Sequence, residues 1–286
     1  MNYFKPTFFF FALIGLLNSG VSQKSIETFT ATANFSSNND RIVSVHNING
    51  SIDIQGYNGN EVLIEVKQVF KAESESLLNQ AKEDLGVEVV EEGNEVVIYF
   101  TTPRSHFDMD KRQYRSFQNH YKKPRYSNLF DFTIKVPQNV SIDASTMNSG
   151  DLIVQNVLSK EISVNNLNGP IRLEGISGTV YANALNQDID VTYVDNPTED
   201  SYFNSLNGDV RVKVRPNFNA HVSFKTLNGK IYTDLDASTA RNTLVKNTNT
   251  KRGTKYRIDK NKSFVIGDGG PEMKFDLLNG NVTISD

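Results

Sequence analysis

The densest chemistry in this sequence lies between residues 103 and 128. Arg104, Lys111, Arg112, Arg115, Lys122, Lys123 and Arg125 stand there against Asp108 and Asp110, a local balance of seven minus two, or plus five. Rings are interleaved with the charges: His106, Phe107, Tyr114, Phe117, His120, Tyr121 and Tyr126. Such a mixture can hold an anionic sugar chain or a nucleic acid, by charge plus stacking on flat faces. It singles out Arg112, Tyr114, Arg115, Phe117, Tyr121, Lys122 and Lys123 as candidate ligand contacts. The leading expectation is nevertheless a disordered, solvated insertion, because a loop this long in a compact domain is either functional or disordered.

Other reactive patterns are missing. The four histidines, His46, His106, His120 and His221, show no metal-ligand spacing. There is no nucleophile elbow, phosphate-binding loop or dinucleotide fingerprint. Cysteine is absent, which excludes disulfides, thiolate zinc and a lipid anchor on cysteine. Asp188, Asp190, Asp195, Glu199 and Asp200 cluster, and oxygen ligands of that kind suit Ca²⁺. They lack the spacing of known calcium loops, so a solvated sheet face is the better reading. No catalytic residue, metal or cofactor is therefore expected. Charge is nearly balanced, with 30 basic against 33 acidic side chains, so bulk charge implies no nucleic-acid or membrane partner.

The elements that must position these residues are repeats. Within Ser205 to Val212, the run from Leu206 reads apolar, Asn, Gly, any, apolar, any, apolar, and near-copies recur at 48–54, 167–173, 227–232 and 278–284. The turn positions are Asn49, Gly50, Gly150, Asn168, Gly169, Gly178, Asn207, Gly208, Asn228, Gly229, Asn279 and Gly280. From Gly150 through Lys160, Gly169, Gly178, Gln187 and Gly208 to Gly229 the steps are 10, 9, 9, 9, 21 and 21. A unit of about ten residues thus pairs into a coil of about twenty, the signature of stacked repeats. Alternating polarity makes each unit a strand, with Leu206, Val210 and Val212 expected on one buried face. The fold expected is all-β: a parallel β-solenoid or roll with two strands per coil and about twenty residues per coil. An antiparallel meander with Asn-Gly hairpin tips is the alternative. Asn168, Asn186, Asn207 and Asn228 are expected to stack as a structural amide ladder.

In chain order, residues 1–22 read as a signal peptide: Lys5, an apolar run of ten residues from Phe8 to Leu17, then small residues to Ser22. Ten residues are too few to span a bilayer, so no transmembrane segment is expected in the mature chain. Residues 23–140 hold strands, the basic loop and one short helix, 72–85, capped by Ser74 or Ser76 and ended by Gly86. They are expected to cap the solenoid, which occupies 141–286 as one continuous unit with them. Residues 263–266 and 273–277 look like a hairpin, and the repeat at 278–284 closes the stack.

The run from Asn47 to Ile54, the stretch Gly56-Tyr57-Asn58-Gly59-Asn60-Glu61-Val62, the strand ending Val136-Pro137 and the glycine-centred units from Gly150 to Gly229 resemble the bacterial putative-adhesin family. That resemblance covers most of residues 40–286. It implies a β-solenoid of largely unassigned function, with no catalytic residues to carry over. The expected function is a secreted or cell-surface, non-catalytic, adhesin-like binding or structural module, with a glycan or another surface protein as partner. The alternative is a carbohydrate-active β-helix enzyme acting on an anionic polysaccharide, which needs an acid and a base in one groove.

Overall fold

The computed structural model describes residues 23–37, 39–116, 124–238, 248–250, 253–255 and 262–286. The expected signal peptide lies outside the described residues. Among the described residues the molecule is all-β with one helix, Glu75–Asp84; twenty strands form one long mixed sheet folded into two faces, beside two small two-stranded sheets.

Short strands dominate because β-branched residues alternate with polar ones, and Asn-Gly corners interrupt each run before a helix can form. The first face stacks Ile52–Tyr57, Leu152–Gln155, the start of Ile171–Ala184, Ile189–Tyr193 and Val210–Lys213 in parallel. The second stacks Glu95–Thr101, Ile42–His46, Ser141–Thr146, Leu158–Asn166, the end of Ile171–Ala184 and Ser201–Asn207. In the first face Leu152 pairs with Ile171, Ile171 with Ile189 and Ile189 with Val210, so stacked partners are 19, 18 and 21 residues apart in the chain.

The two faces bury alternate side chains against each other. Val43, Val45, Ile142, Ala144, Ile162, Val180 and Phe203 come from one face, and Ile52, Leu152, Ile171, Ile189 and Val210 from the other. Removing such side chains from water contributes about 25 cal/mol per Å² of apolar surface, which no single coil could collect alone. Leu206 departs from expectation. It is 36% exposed while Val210 is fully buried and Val212 is 1% exposed. The Asn-Gly corner between them changes the phase of the alternation, so the residue before the corner points outward.

The corner explains its glycines. A Cβ on Gly150 would run into Gly50, and one on Gly280 into the Gly208 carbonyl. Both have positive φ, 120° and 157°, where a side chain is strained in any case. Beside this column runs an amide ladder. Asn228 Nδ2 donates to Asn279 Oδ1 at 2.8 Å, Asn279 to Asn207 at 2.8 Å, Asn207 to Asn186 at 3.2 Å and Asn186 to Asn168 at 2.9 Å.

Asn279 stands between Asn207 and Asn228, and that order reveals the topology. Strand Glu272–Asn279 lies parallel between Ser201–Asn207 and Ala220–Asn228. Strand Val282–Ser285 lies between Val210–Lys213 and Ile231–Thr233. The last coil in sequence is therefore next to last in space. The expected hairpin at 263–277 does not form. Lys262–Ile266 pairs antiparallel with the far edge of Ala220–Asn228, so that strand separates the two segments.

At the other end, Gln23–Ala33 and Tyr126–Pro137 flank Val62–Ala72 in antiparallel ladders. The helix packs here through Leu78 and Ala81. Ser74 Oγ accepts the Leu77 N–H at 3.3 Å. The helix ends at Leu85 in extended conformation, one residue before the expected glycine, and Gly86 begins the strand Gly86–Glu92.

Candidate functional site

Residues 105–116 are not a solvated insertion. Ser105–Asp108 and Gln113–Ser116 pair as a small antiparallel hairpin against the second face. Phe107 is 5% exposed. Its ring stacks on Tyr99 with centroids 4.5 Å apart and lies 5.0 Å from His46 and 5.1 Å from Tyr114. Tyr114 Oη lies 2.8 Å from the His46 carbonyl and accepts the Phe100 N–H at 3.0 Å, and burial holds its phenol far above the usual range. Arg112 Nε donates to Glu95 Oε1 at 3.0 Å, and Arg115 Nε lies 2.8 Å from Asp108 Oδ2. Arg112, Tyr114 and Arg115 thus hold the hairpin together and onto the sheet. Phe117, Tyr121, Lys122 and Lys123 lie outside the described residues.

Beside the hairpin opens a groove of about 890 Å³. Its floor is the outward side of three stacked strands, where Ser44, Asp143 and Ser163 stand in register. Parallel pairing repeats the same outward position from coil to coil, so a row of unrelated residues becomes one surface. The lining includes the acids Asp40, Glu92, Glu95, Asp110, Asp143 and Glu161 against Arg41, Arg112 and Lys160, a formal balance of three minus six, or minus three. Its sign is opposite to the one read from the 103–128 composition, because Arg112 alone of those seven cations is in its lining while Asp40, Glu92, Glu95, Asp143 and Glu161 come from elsewhere in the chain.

Burial perturbs the acids and bases in and beside the groove. His46 is 1% exposed, and burial, aided by the charge of Arg112, lowers its pKa to about 4. Its Nδ1 is 2.8 Å from Ser145 Oγ, while Nε2 has no hydrogen-bond partner and lies 3.9 Å from Asp143 Oδ2. Asp143 is pushed up to about 6, first by desolvation and then by the charge of Glu95. Its side chain is still 37% exposed, so solvent screens part of that push. For Glu95 burial acts upward, but its bonds from Arg112 and Ser44 outweigh it and hold the carboxyl below the usual range.

Beyond the groove the same face continues. One outward row runs Ser44, Asp143, Ser163, Tyr181, Tyr202 and Lys274. The next runs His46, Ser145, Asn165, Asn183, Asn204 and Asp276. Asn204 Nδ2 donates to Asn183 Oδ1 at 2.8 Å, and Asn183 to Asn165 at 3.4 Å. Tyr181 is 43% exposed, and Lys274 Nζ sits 5.5 Å from the centre of the Tyr202 ring. The reading of isolated motifs missed this face. The signal was present: Tyr181-Ala182-Asn183 recurs as Tyr202-Phe203-Asn204, one coil of 21 residues later.

Asp188, Asp190 and Asp200 of the acidic cluster serve the stack. Asp188 and Asp190 pair with Arg211 at 2.9 and 3.0 Å, and Asp200 Oδ1 accepts the Glu272 N–H at 2.6 Å. Among the described residues no cluster of His, Cys, Asp or Glu is arranged to hold a metal ion.

Solved structures to which the chain is similar include three bacterial proteins. A putative cell adhesion protein from Clostridium sporogenes aligns over 93% of this chain and 99% of its own, at 10% identity and a TM-score of 0.42. A putative adhesin from Bacteroides fragilis aligns over 90% of this chain and 96% of its own, at 9% identity and a TM-score of 0.31. A putative lipid binding protein from Parabacteroides distasonis aligns over 90% and 96%, at 13% identity and a TM-score of 0.30. No curated protein matches the chain. The family model described as Toastrack DUF4097 matches residues 132–263, the stretch that carries Asp143, Ser163, Tyr181, Tyr202 and the amides from Asn165 to Asn204.

Proposed function

We propose that this protein is an exported, non-catalytic binding module of the adhesin-like kind, displayed at a bacterial surface. In this reading residues 141–286 are a β-solenoid of about twenty residues and two strands per coil, and residues 23–140 close one end of it. The observation that carries the reading is the outer face of the second sheet. From Ser163 and Asn165 to Tyr202 and Asn204, register repeats a hydroxyl, ring or amide at each rung, and a surface periodic along one axis suits a polymer with its own period. Export rests on the apolar run Phe8–Leu17 and the small residues up to Ser22. No helix of the described residues is long and apolar enough to cross a membrane.

One observation favours the second reading, a carbohydrate-active enzyme. Asp143 and Glu95 line one groove with shifts of opposite sign, which is how hydrolases set an acid against a base. Glu95, however, accepts from Arg112 at both carboxylate oxygens and from Ser44 at Oε1, so it is tied into the groove wall by an ion pair. A glycan array followed by product analysis separates the readings. Saturable binding to at least one surface glycan without shortened products is expected. Chain cleavage abolished by Asp143→Asn would establish the enzyme instead, and an array without binding would remove the glycan partner.

A further inference from the structure

The outer face presents two chemistries in line. At one end are carboxylates short of a cation. Glu161 has no ion-pair partner among the described residues, and the ion-pair contact of Asp143 among them is with His46, whose buried Nε2 is itself without a hydrogen-bond partner; the charges of Glu95, Arg112 and Glu161 also reach Asp143. The nearby guanidinium of Arg112 is already taken by Glu95. A partly desolvated carboxylate without a counter-charge is costly, and a bound cation would relieve that cost. Further along, from Ser163 to Tyr202, the row is uncharged, and the neighbouring row offers the amides of Asn183 and Asn204. A phenol ring offers an apolar face to the C–H side of a sugar ring, while side-chain amides donate to and accept from its hydroxyls.

We propose that this face takes a glycan chain carrying free amino groups, with an ammonium at Asp143 and Glu161 and the following sugar rings along Tyr181 and Tyr202. The proposal rests on the reading of the chain as a glycan-binding module and names the class of glycan. Asp143 and Tyr202 are three rungs apart, about 14 Å at about 4.8 Å per rung, so a short oligosaccharide spans both chemistries. An anionic glycan does not suit the groove end, where carboxylates would meet carboxylates. A simple polyamine would satisfy Asp143 but leave Tyr181 and Asn183 unused.

Calorimetry on the chain from Gln23 onward tests this with three probes near neutral pH: a glucosamine tetramer, its fully N-acetylated counterpart and spermidine. The glucosamine tetramer should bind, weakening as salt rises, because charge contacts are screened. Acetylation removes the charge and should weaken binding about tenfold or more. In Asp143→Asn/Glu161→Gln that preference should vanish, while Tyr181→Ala/Tyr202→Ala should weaken both sugars. These side chains are at least partly exposed or rim the groove, and an unchanged melting temperature certifies each variant as folded. Equal binding of the two tetramers, or no binding of either, overturns the proposal. So does spermidine binding as tightly as the amino sugar, since the face would then read only charge. If the glycan array is positive while the glucosamine tetramer fails, this inference falls and the module reading stands. If both fail, the module reading falls with it.

Discussion

His46 and Asp143 sit 3.9 Å apart and titrate in opposite senses. The pKa of His46 falls from 6.5 to about 4, so its neutral form belongs to the fold. Its contribution is present above pH 6.5 and lost as the pH falls toward about 4, on the order of 3 kcal/mol in all. Asp143 rises from 3.8 to about 6, so its contribution is present below 3.8 and lost as the pH climbs through about 6. Between those limits the two effects oppose each other. Arg112, Glu95 and Glu161 also act on Asp143, and Arg112 and Glu95 on His46. His46→Gln should therefore lose less stability than the wild type on acidification from about pH 7 to about pH 4, and Asp143→Asn should lose more. Melting temperatures across that range give the slopes. Superimposable acid limbs for wild type and His46→Gln would show that His46 does not titrate as assigned.

The hairpin at 105–116 is the element that sequence patterning reads least well. Its strands are four residues each, too short for a periodicity to emerge, and no Asn-Gly or Pro-Gly marks the turn. The turn is closed by Arg112 with φ of 49°, a conformation rarely taken by arginine. What holds the hairpin is remote in sequence: Tyr99, His46 and Glu95. Phe107→Ala should cost about 3 kcal/mol, since it removes a buried ring from three aromatic neighbours. Arg115→Ala should cost less than about 1 kcal/mol, because that side chain is 52% exposed and its ion pair with Asp108 is screened. Chemical denaturation of both variants measures the difference. Equal, negligible losses would mean that the hairpin is not docked.

At the scale of the whole molecule, the decisive feature is the late coil slotted into the stack. Phe275 is fully buried and stacks on Phe203 with centroids 5.1 Å apart, although it lies near the end of the chain. Removing residues 272–286 would strip Ala220–Asn228 of its parallel neighbour and expose the top of Ser201–Asn207. The truncated chain should lose amide-exchange protection throughout 220–233 and should tend to aggregate through its open edge. A terminal coil stacked last would behave differently, since its removal would leave 220–233 in place. Retained protection there would contradict the observed order.

The repeats carry a good deal of this fold in the sequence itself. Period-two alternation makes strands, Asn-Gly makes corners, and the lack of long helical runs leaves an all-β chain. The columns of Gly150 and Asn207 were readable because backbone approach and amide pairing depend on residue type alone. The groove was not. Ser44, Glu95 and Asp143 are far apart in the chain, and only parallel pairing brings them onto one floor. The slotting of Asn279 between Asn207 and Asn228 was equally hidden, because every corner carries nearly the same residues. A local pattern specifies that coils stack but not which coil meets which. That choice belongs to long-range contacts such as Phe275 on Phe203, and with it goes the surface available to a ligand.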